Sequence, residues 1–258
     1  MTLRKLILAL NACYKAGKII IPKGVMIHST GANNPYLSRY VGPDDGMLGY
    51  NKNNNHWNQL KPDGRTVCVH AFIGKLADGS VATYQTLPWT YRAYHCGRGK
   101  NGSANNTHIS VEICEDGLTD ASYFQSVYKE AAEFCVMLCG MFNFNPLASS
   151  VIIGHYEGYK RGIASNHGDP RPWFIRHGKS MDTFRADVNN LIQKEEDEVA
   201  KRYNTLKEIK DGADWAFSTV DKMLAKRILL GNGAEDNLNL SEDMMRILVM
   251  LDRAGVIK

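Results

Sequence analysis

The stretch THISVEIC, residues 107–114, alternates without a break: Ile109, Val111 and Ile113 fall on one side, and His108, Ser110, Glu112 and Cys114 on the other. Such a run reads as a β-strand with a core face and a polar face, with Glu112 in the middle of the polar one. On an edge strand Glu112 would be a solvated carboxylate. On a central strand it is held inside the molecule, next to whatever the neighbouring strands carry. Downstream, Asp120 offers a helix N-cap. Phe124, Val127, Tyr128, Ala131, Phe134, Cys135, Leu138 and Phe142 then recur at helical spacing until NFNP at 143–146 stops them. A strand of this kind leading into a long amphipathic helix predicts an α/β domain, a mixed central β-sheet flanked by helices.

Working outward, the sequence predicts strands at 18–22 (running on into 25–28), at 66–73 and at 81–86, the last two joined by the hairpin-type turn ADGS at 77–80. A short strand at 151–153 and a helix at 181–192 complete the order β-β-β-β-α-β-α. Residues 31–65 are long, Asn-rich and without apolar period. Their aromatics, Tyr36, Tyr40, Tyr50 and Trp57, argue for an ordered groove wall, with a mobile lid as the alternative. His70, in an apolar run, fits the core better than a groove. The apolar run 6–10 is too short for the core of a signal peptide, so residues 1–13 are expected to pack against the domain.

The chemistry gathers where strands end. VMIHSTG at 25–31 closes on His28, and VIIGH at 151–155 delivers His155. The polar loop after it reaches HGDP at 167–170, bringing in His167 and Asp169. Two strand-tip imidazoles and a carboxylate can supply three ligands to a metal and leave a fourth position for water, the arrangement of a catalytic zinc site. The plainer reading is that a chain with eight histidines places several in loops by chance. His56 and His177 have no better setting than that.

These pieces resemble the zinc-dependent N-acetylmuramoyl-L-alanine amidases, a family that includes phage lysins and the peptidoglycan recognition proteins. The resemblance is carried by VMIHSTG around His28, NNTHISVEIC around Glu112 and GH…HGDP from His155 to Pro170, in the family's order, over residues 23–192, about two-thirds of the chain. It implies Zn²⁺ held by His28, His155 and Asp169, with Glu112 as the proton-transferring carboxylate. His167 stands where the family usually has a basic residue, often Lys, and would be a second catalytic group whose charge depends on pH. His95, Trp57 and Asn106 are the expected substrate-binding residues. The implied function is that of a phage or prophage endolysin, a peptidoglycan hydrolase cleaving the amide between N-acetylmuramic acid and L-alanine with zinc-activated water. The alternatives are a peptidoglycan-binding recognition protein without activity, which typically lacks a complete ligand set, and a zinc endopeptidase on the same scaffold. A cysteine nucleophile fits poorly, because none of the six cysteines lies in an activating setting.

Composition agrees. The chain has 258 residues, 44% hydrophobic and 22% charged, enough for one full core and a small module. A net charge of +4, scattered along the sequence, argues against a nucleic-acid partner. No segment is long and apolar enough to insert in a membrane. The cysteines form no CxxC pair and read as reduced, as in a protein made in a bacterial cytoplasm. Action on the cell wall would then need late, holin-dependent release, or, for a host autolysin, another route. A catalytic domain is expected over 1–194, an acidic linker over 195–202 (EEDE at 195–198), and a small α-helical module over 203–258. In that module Trp215, Val220, Met223 and Leu224 mark one helix, ended near Gly231. Ser241 caps another with Met244, Ile247, Leu248 and Leu251 on its apolar face and Gly255 at its end. The pattern is similar to S-layer homology modules, which implies wall binding. A homodimer contact or a plain buttress are the other readings.

Overall fold

The computed structural model describes residues 1–230 and 237–257, the side chains of 198–200 excepted. Packing divides the chain into two units, Met1–Leu191 and Ile192–Lys258. The first contains β1 (Leu3–Lys5), α1 (Ala12–Ala16), β2 (Gly24–Ser29), β3 (Ala71–Lys75), β4 (Val81–Gln85), β5 (His108–Ile113), α2 (Ala121–Phe142), β6 (Ile152–Gly154), α3 (His155–Lys160) and α4 (Arg171–Arg176). Helix α5 (Met181–Ala200) begins in it.

The six strands form one mixed sheet in the order β1-β4-β3-β5-β2-β6, antiparallel only between β3 and β4. Strand β5 is central, as its alternation requires, and β2 beside it is buried along its whole length. Gly24 opens β2 because nothing larger fits: a Cβ there would lie 2.2 Å from the Val151 carbonyl oxygen. Helix α2, capped by the Asp120 side chain on the Tyr123 amide, lies against β3 and β4. A second apolar layer joins Leu8, Leu37, Tyr40, Val41, Trp57, Phe72 and Tyr84. Within it the Tyr40 ring stacks on Phe72 at 5.1 Å and Trp57 meets Phe72 edge-on at 5.1 Å, so these two aromatics pin the long Asn-rich loop. Tyr36 and Tyr50, also expected on the wall, turn outward instead, at 44% and 86% exposed.

Several elements differ from the sequence expectation. Residues 18–22 are extended but make only an isolated bridge, Ile19 to Tyr91. Ile19 and Ile21 face outward, and Pro22 has no N–H to continue a ladder. The N-terminal residues supply the unforeseen sheet-edge strand β1. The strand expected at 66–73 enters the ladder only at Ala71. The acidic run at 195–198 is helical, a continuation of α5: residues 181–200 contain no Gly or Pro, and Glu is a good helix former.

In the second unit β7 (Arg202–Tyr203) pairs antiparallel with β8 (Leu240–Ser241), alongside α6 (Leu206–Gly212), α7 (Asp214–Ala225) and α8 (Glu242–Arg253). Its core joins Tyr203, Ile209, Val220, Leu240, Met245 and Val249. Helix α8 therefore buries Met245 and Val249 and packs Leu248 of the expected face beside them, while Met244, Ile247 and Leu251 of that face turn outward. The apolar stripe of this helix is wider than the core it meets, and the core takes the edge of the stripe that carries Met245, Leu248 and Val249. Trp215, too, is largely exposed. Gly255 has the left-handed φ of a helix terminator; Gly231 lies outside the described residues. Among the described residues no helix is long and apolar enough to cross a membrane.

Two predictions follow from this packing. Asn11, fully buried, caps α1 through its Oδ1 on the Cys13 amide and donates Nδ2 to the carbonyls of Trp57 and Val67 (3.0 and 2.9 Å). N11A removes a cap and orphans two carbonyls, and should lower stability in urea unfolding by about 2–4 kcal/mol. His70 is also fully buried: its Nδ1 accepts from the Ser110 amide and its Nε2 donates to the Tyr91 carbonyl. Burial lowers its pKa to about 4. The folded chain then binds fewer protons than the unfolded one between pH 6.5 and 4. Stability should fall as the pH drops through that window, by on the order of 3 kcal/mol from this group. Thermal unfolding with chelator present should show a shallower fall in H70Q.

Candidate metal centre

Strand β2 lies between β5 and β6, parallel to both. The register sets His28 directly beside Glu112, and Ile27 beside Gly154. His155 follows Gly154 and so comes level with His28, at the carboxyl ends of neighbouring parallel strands, where ligands bind in open α/β sheets. The Asp169 loop folds back over this edge: the Tyr156 amide donates to the Asp169 carbonyl (3.3 Å), and a Cβ on Gly154 would lie 3.0 Å from Pro170.

Three side chains converge there. His28 Nδ1 lies 2.9 Å from Asp169 Oδ2 and 3.1 Å from His155 Nδ1, and His155 Nδ1 is 3.4 Å from Asp169 Oδ1. One donor atom from each falls within 4.8 Å of the others. Two imidazole nitrogens aimed at one carboxylate are a nitrogen–oxygen donor set suited to zinc. His28 Nε2 is 2.8 Å from His95 Nδ1. A metal on His28 Nδ1 requires the proton on Nε2, donated to His95 Nδ1, which in turn fixes the His95 proton on its own Nε2. That Nε2 is buried and without a protein partner. On the far side of His155, Ser165 Oγ stands 3.4 Å from Nε2 and donates to the Cys96 carbonyl.

Electrostatics follow burial. Burial lowers the pKa of His28, with Asp169 opposing in part, and lowers that of His95 well below the usual histidine range. Burial works to raise Asp169, but hydrogen bonds from His155 and His28 outweigh it and hold the carboxyl well below the usual range. Glu112 moves the other way. Burial first, then the Asp169 and Glu115 carboxylates, raise it well above an ordinary carboxyl. Its Oε2 is buried and has no hydrogen-bond partner. An orphaned carboxylate oxygen inside the same cleft as the three donors makes Glu112 a candidate for proton transfer.

The cleft, about 310 Å³, is lined by His28, Glu112, His155, His167, Asp169, His95 and Trp57, and on its outer side by Arg39, Asp63, Arg65 and Tyr94. The expected residues are thus together, with one exception. Asn106 is exposed and accepts from Arg92 (2.6 Å), and it does not line the cleft. Its neighbour Asn105, buried, accepts from the amides of His95 and Cys96 and so shapes the His95 loop from beneath. A 3-10 turn at Ala104–Asn106 reverses which asparagine faces inward. His167 stands at the rim, 63% exposed, its ring stacked on His155 at 4.7 Å and its Nδ1 4.0 Å from Asp169 Oδ1. Trp57 presents only an edge, since most of it is core. Arg39, Arg65 and Ser165 carry no signal in the sequence, because the fold alone brings them to this edge.

A family model described as N-acetylmuramoyl-L-alanine amidase matches residues 18–172. No curated protein matches the chain. Among solved structures, the fold is similar to the Staphylococcus aureus hydrolase AmiA in complex with its ligand (TM-score 0.52, 19% identity, 77% of this chain and 86% of that one). It is also similar to PlyL (0.51, 19%, 73% and 97%) and to the catalytic domain of XlyA (0.50, 21%, 73% and 99%). At these identities the likeness shows the fold, whereas the family match spans more than half the chain. The chain belongs to the N-acetylmuramoyl-L-alanine amidase family and is a peptidoglycan amidase.

Proposed function

We propose that the chain is a zinc-dependent endolysin whose ion is held by His28, His155 and Asp169. It would cut the amide between the lactyl group of N-acetylmuramic acid and L-alanine. The observation that carries the reading is the convergence of these three donors beside the unpartnered Glu112 carboxylate. The family is generally zinc-dependent, and the nitrogen–oxygen set fits that metal. Zinc bound there would supply Lewis acidity, polarising the scissile carbonyl and lowering the pKa of water to about 7. Glu112 takes the proton of the attacking water on its free Oε2 and passes it to the leaving amine nitrogen. His95, its Nε2–H unpartnered, is placed to donate to a substrate carbonyl. His167, at the rim, turns a ring N–H to the developing oxyanion. Trp57 closes one side of the cleft.

The complete donor set is what favours cutting over binding alone. We assign residues 1–194 to catalysis. Residues 203–258 we read as a cell-wall-binding module, with homodimerisation as the second reading. The exposed Trp215, Ile247 and Met250 support an outward-facing role for them. Synthesis in a bacterial cytoplasm and late release to the wall accord with six free cysteines.

The test is amide cleavage with purified wall material. The wild type with zinc should release stem peptides with a new free L-alanine amine, and a chelator should stop the release. E112Q should keep its zinc and lose turnover by about 10²–10⁴-fold, and H28A should lose both. A new amine within the stem would instead indicate an endopeptidase. Wall binding without release would indicate a recognition protein.

A further inference from the structure

We propose that Arg185 and Glu157 form a positioning pair that presets His155, and through it Asp169, for the metal. This inference rests on the reading of His28, His155 and Asp169 as ligands. Strand β6 is only three residues long, lies at the sheet edge and pairs with β2 alone. It turns directly into α3, whose first residue is His155. Gly154 at that turn has no side chain with which to cap the helix. The turn is closed from the other side: Glu157 Oε2 accepts from the Gly154 amide at 3.0 Å.

Arg185, on α5 and only 9% exposed, holds the arrangement. Its Nη1 donates to the Ile152 carbonyl (2.8 Å) and to Glu157 Oε2 (3.0 Å), and its Nη2 donates to Glu157 Oε1 (3.1 Å). One rigid guanidinium thus grips the strand before His155 and the helix after it. The Tyr156 amide, on the Asp169 carbonyl, and the contact of Gly154 with Pro170 extend the hold to the third ligand. Outside the donor cluster, His155 meets the His167 ring stacked on it at 4.7 Å and Ser165 Oγ, 3.4 Å from its far nitrogen; neither fixes the backbone that carries it. Lysine cannot reproduce the two-pronged hold on Glu157 while also reaching the Ile152 carbonyl. Arg185 also pairs with Asp182, whose carboxylate is 91% exposed and which bears on neither ligand.

The experiment is zinc affinity, measured on the full chain by competition with a chromogenic chelator, with circular dichroism confirming the fold. R185K and E157Q should each weaken zinc binding about 10–100-fold, as loss of an outer-shell partner does. The double variant should be no weaker than the worse single one, because the two side chains act as a unit. D182N should stay within about twofold of the wild type. Wild-type zinc affinity in folded R185K and E157Q, with only the melting temperature lowered, would reduce the pair to a structural role and overturn the proposal. Should R185K not fold, the isosteric E157Q carries the same expectation. A wild type that itself takes up no zinc would remove the metal reading first, and this proposal with it.

Discussion

The parallel, in-register pairing of β2 between β5 and β6 is the constraint on which the rest of the molecule depends. It sets His28 level with Glu112 on one side and with His155 on the other, using only backbone hydrogen bonds. A slip of one residue on β2 or β5 would turn His28 or Glu112 to the opposite face. The long helix α2 and the edge strand β1 brace the β3–β4 half of the sheet, and the Asn-rich loop packs on Phe72 of β3. The Asp169 loop completes the set by folding over the strand ends.

The same arrangement concentrates groups that burial disfavours. His28 and His95 are pushed towards neutrality and Glu112 towards its protonated form, while Asp169 keeps its charge because two imidazoles bond to it. Two polar atoms in this cluster, Glu112 Oε2 and His95 Nε2, have no hydrogen-bond partner among the described residues. Under the proposed mechanism both atoms have a role, Glu112 Oε2 taking the proton of water and His95 Nε2 facing a substrate carbonyl. Around the cluster the aromatic layer about Phe72 supplies well-packed apolar contacts.

Much of this was legible in the sequence, and the reason is period. The alternation in THISVEIC fixed both the strand and the face of Glu112. The short apolar runs ending at His28 and His155 marked strand tips, and the spacing from Phe124 to Phe142 marked the main helix. What escaped depended on contacts between residues distant in sequence. Strand β1 is three residues long, and its partner in β4 is some eighty residues away. Residues 18–22 look like a strand until Pro22 and the outward isoleucines are taken into account. Asn106 and Asn105 cannot be told apart without the turn that carries them. Arg185 sits on a helix rich in charged residues and reads as solvated, though it is nearly buried. In α8 the sequence marks a broad apolar stripe, and which edge of it meets the core depends on neighbours distant in sequence.

The claim at the centre of this account is that one divalent cation sits among three side chains brought together by the sheet. Anomalous diffraction at the zinc absorption edge, on crystals grown with zinc, tests it most directly. The account predicts a single strong peak bounded by His28 Nδ1, His155 Nδ1 and the Asp169 carboxylate. A peak elsewhere in the chain, or none at saturating zinc, would contradict it.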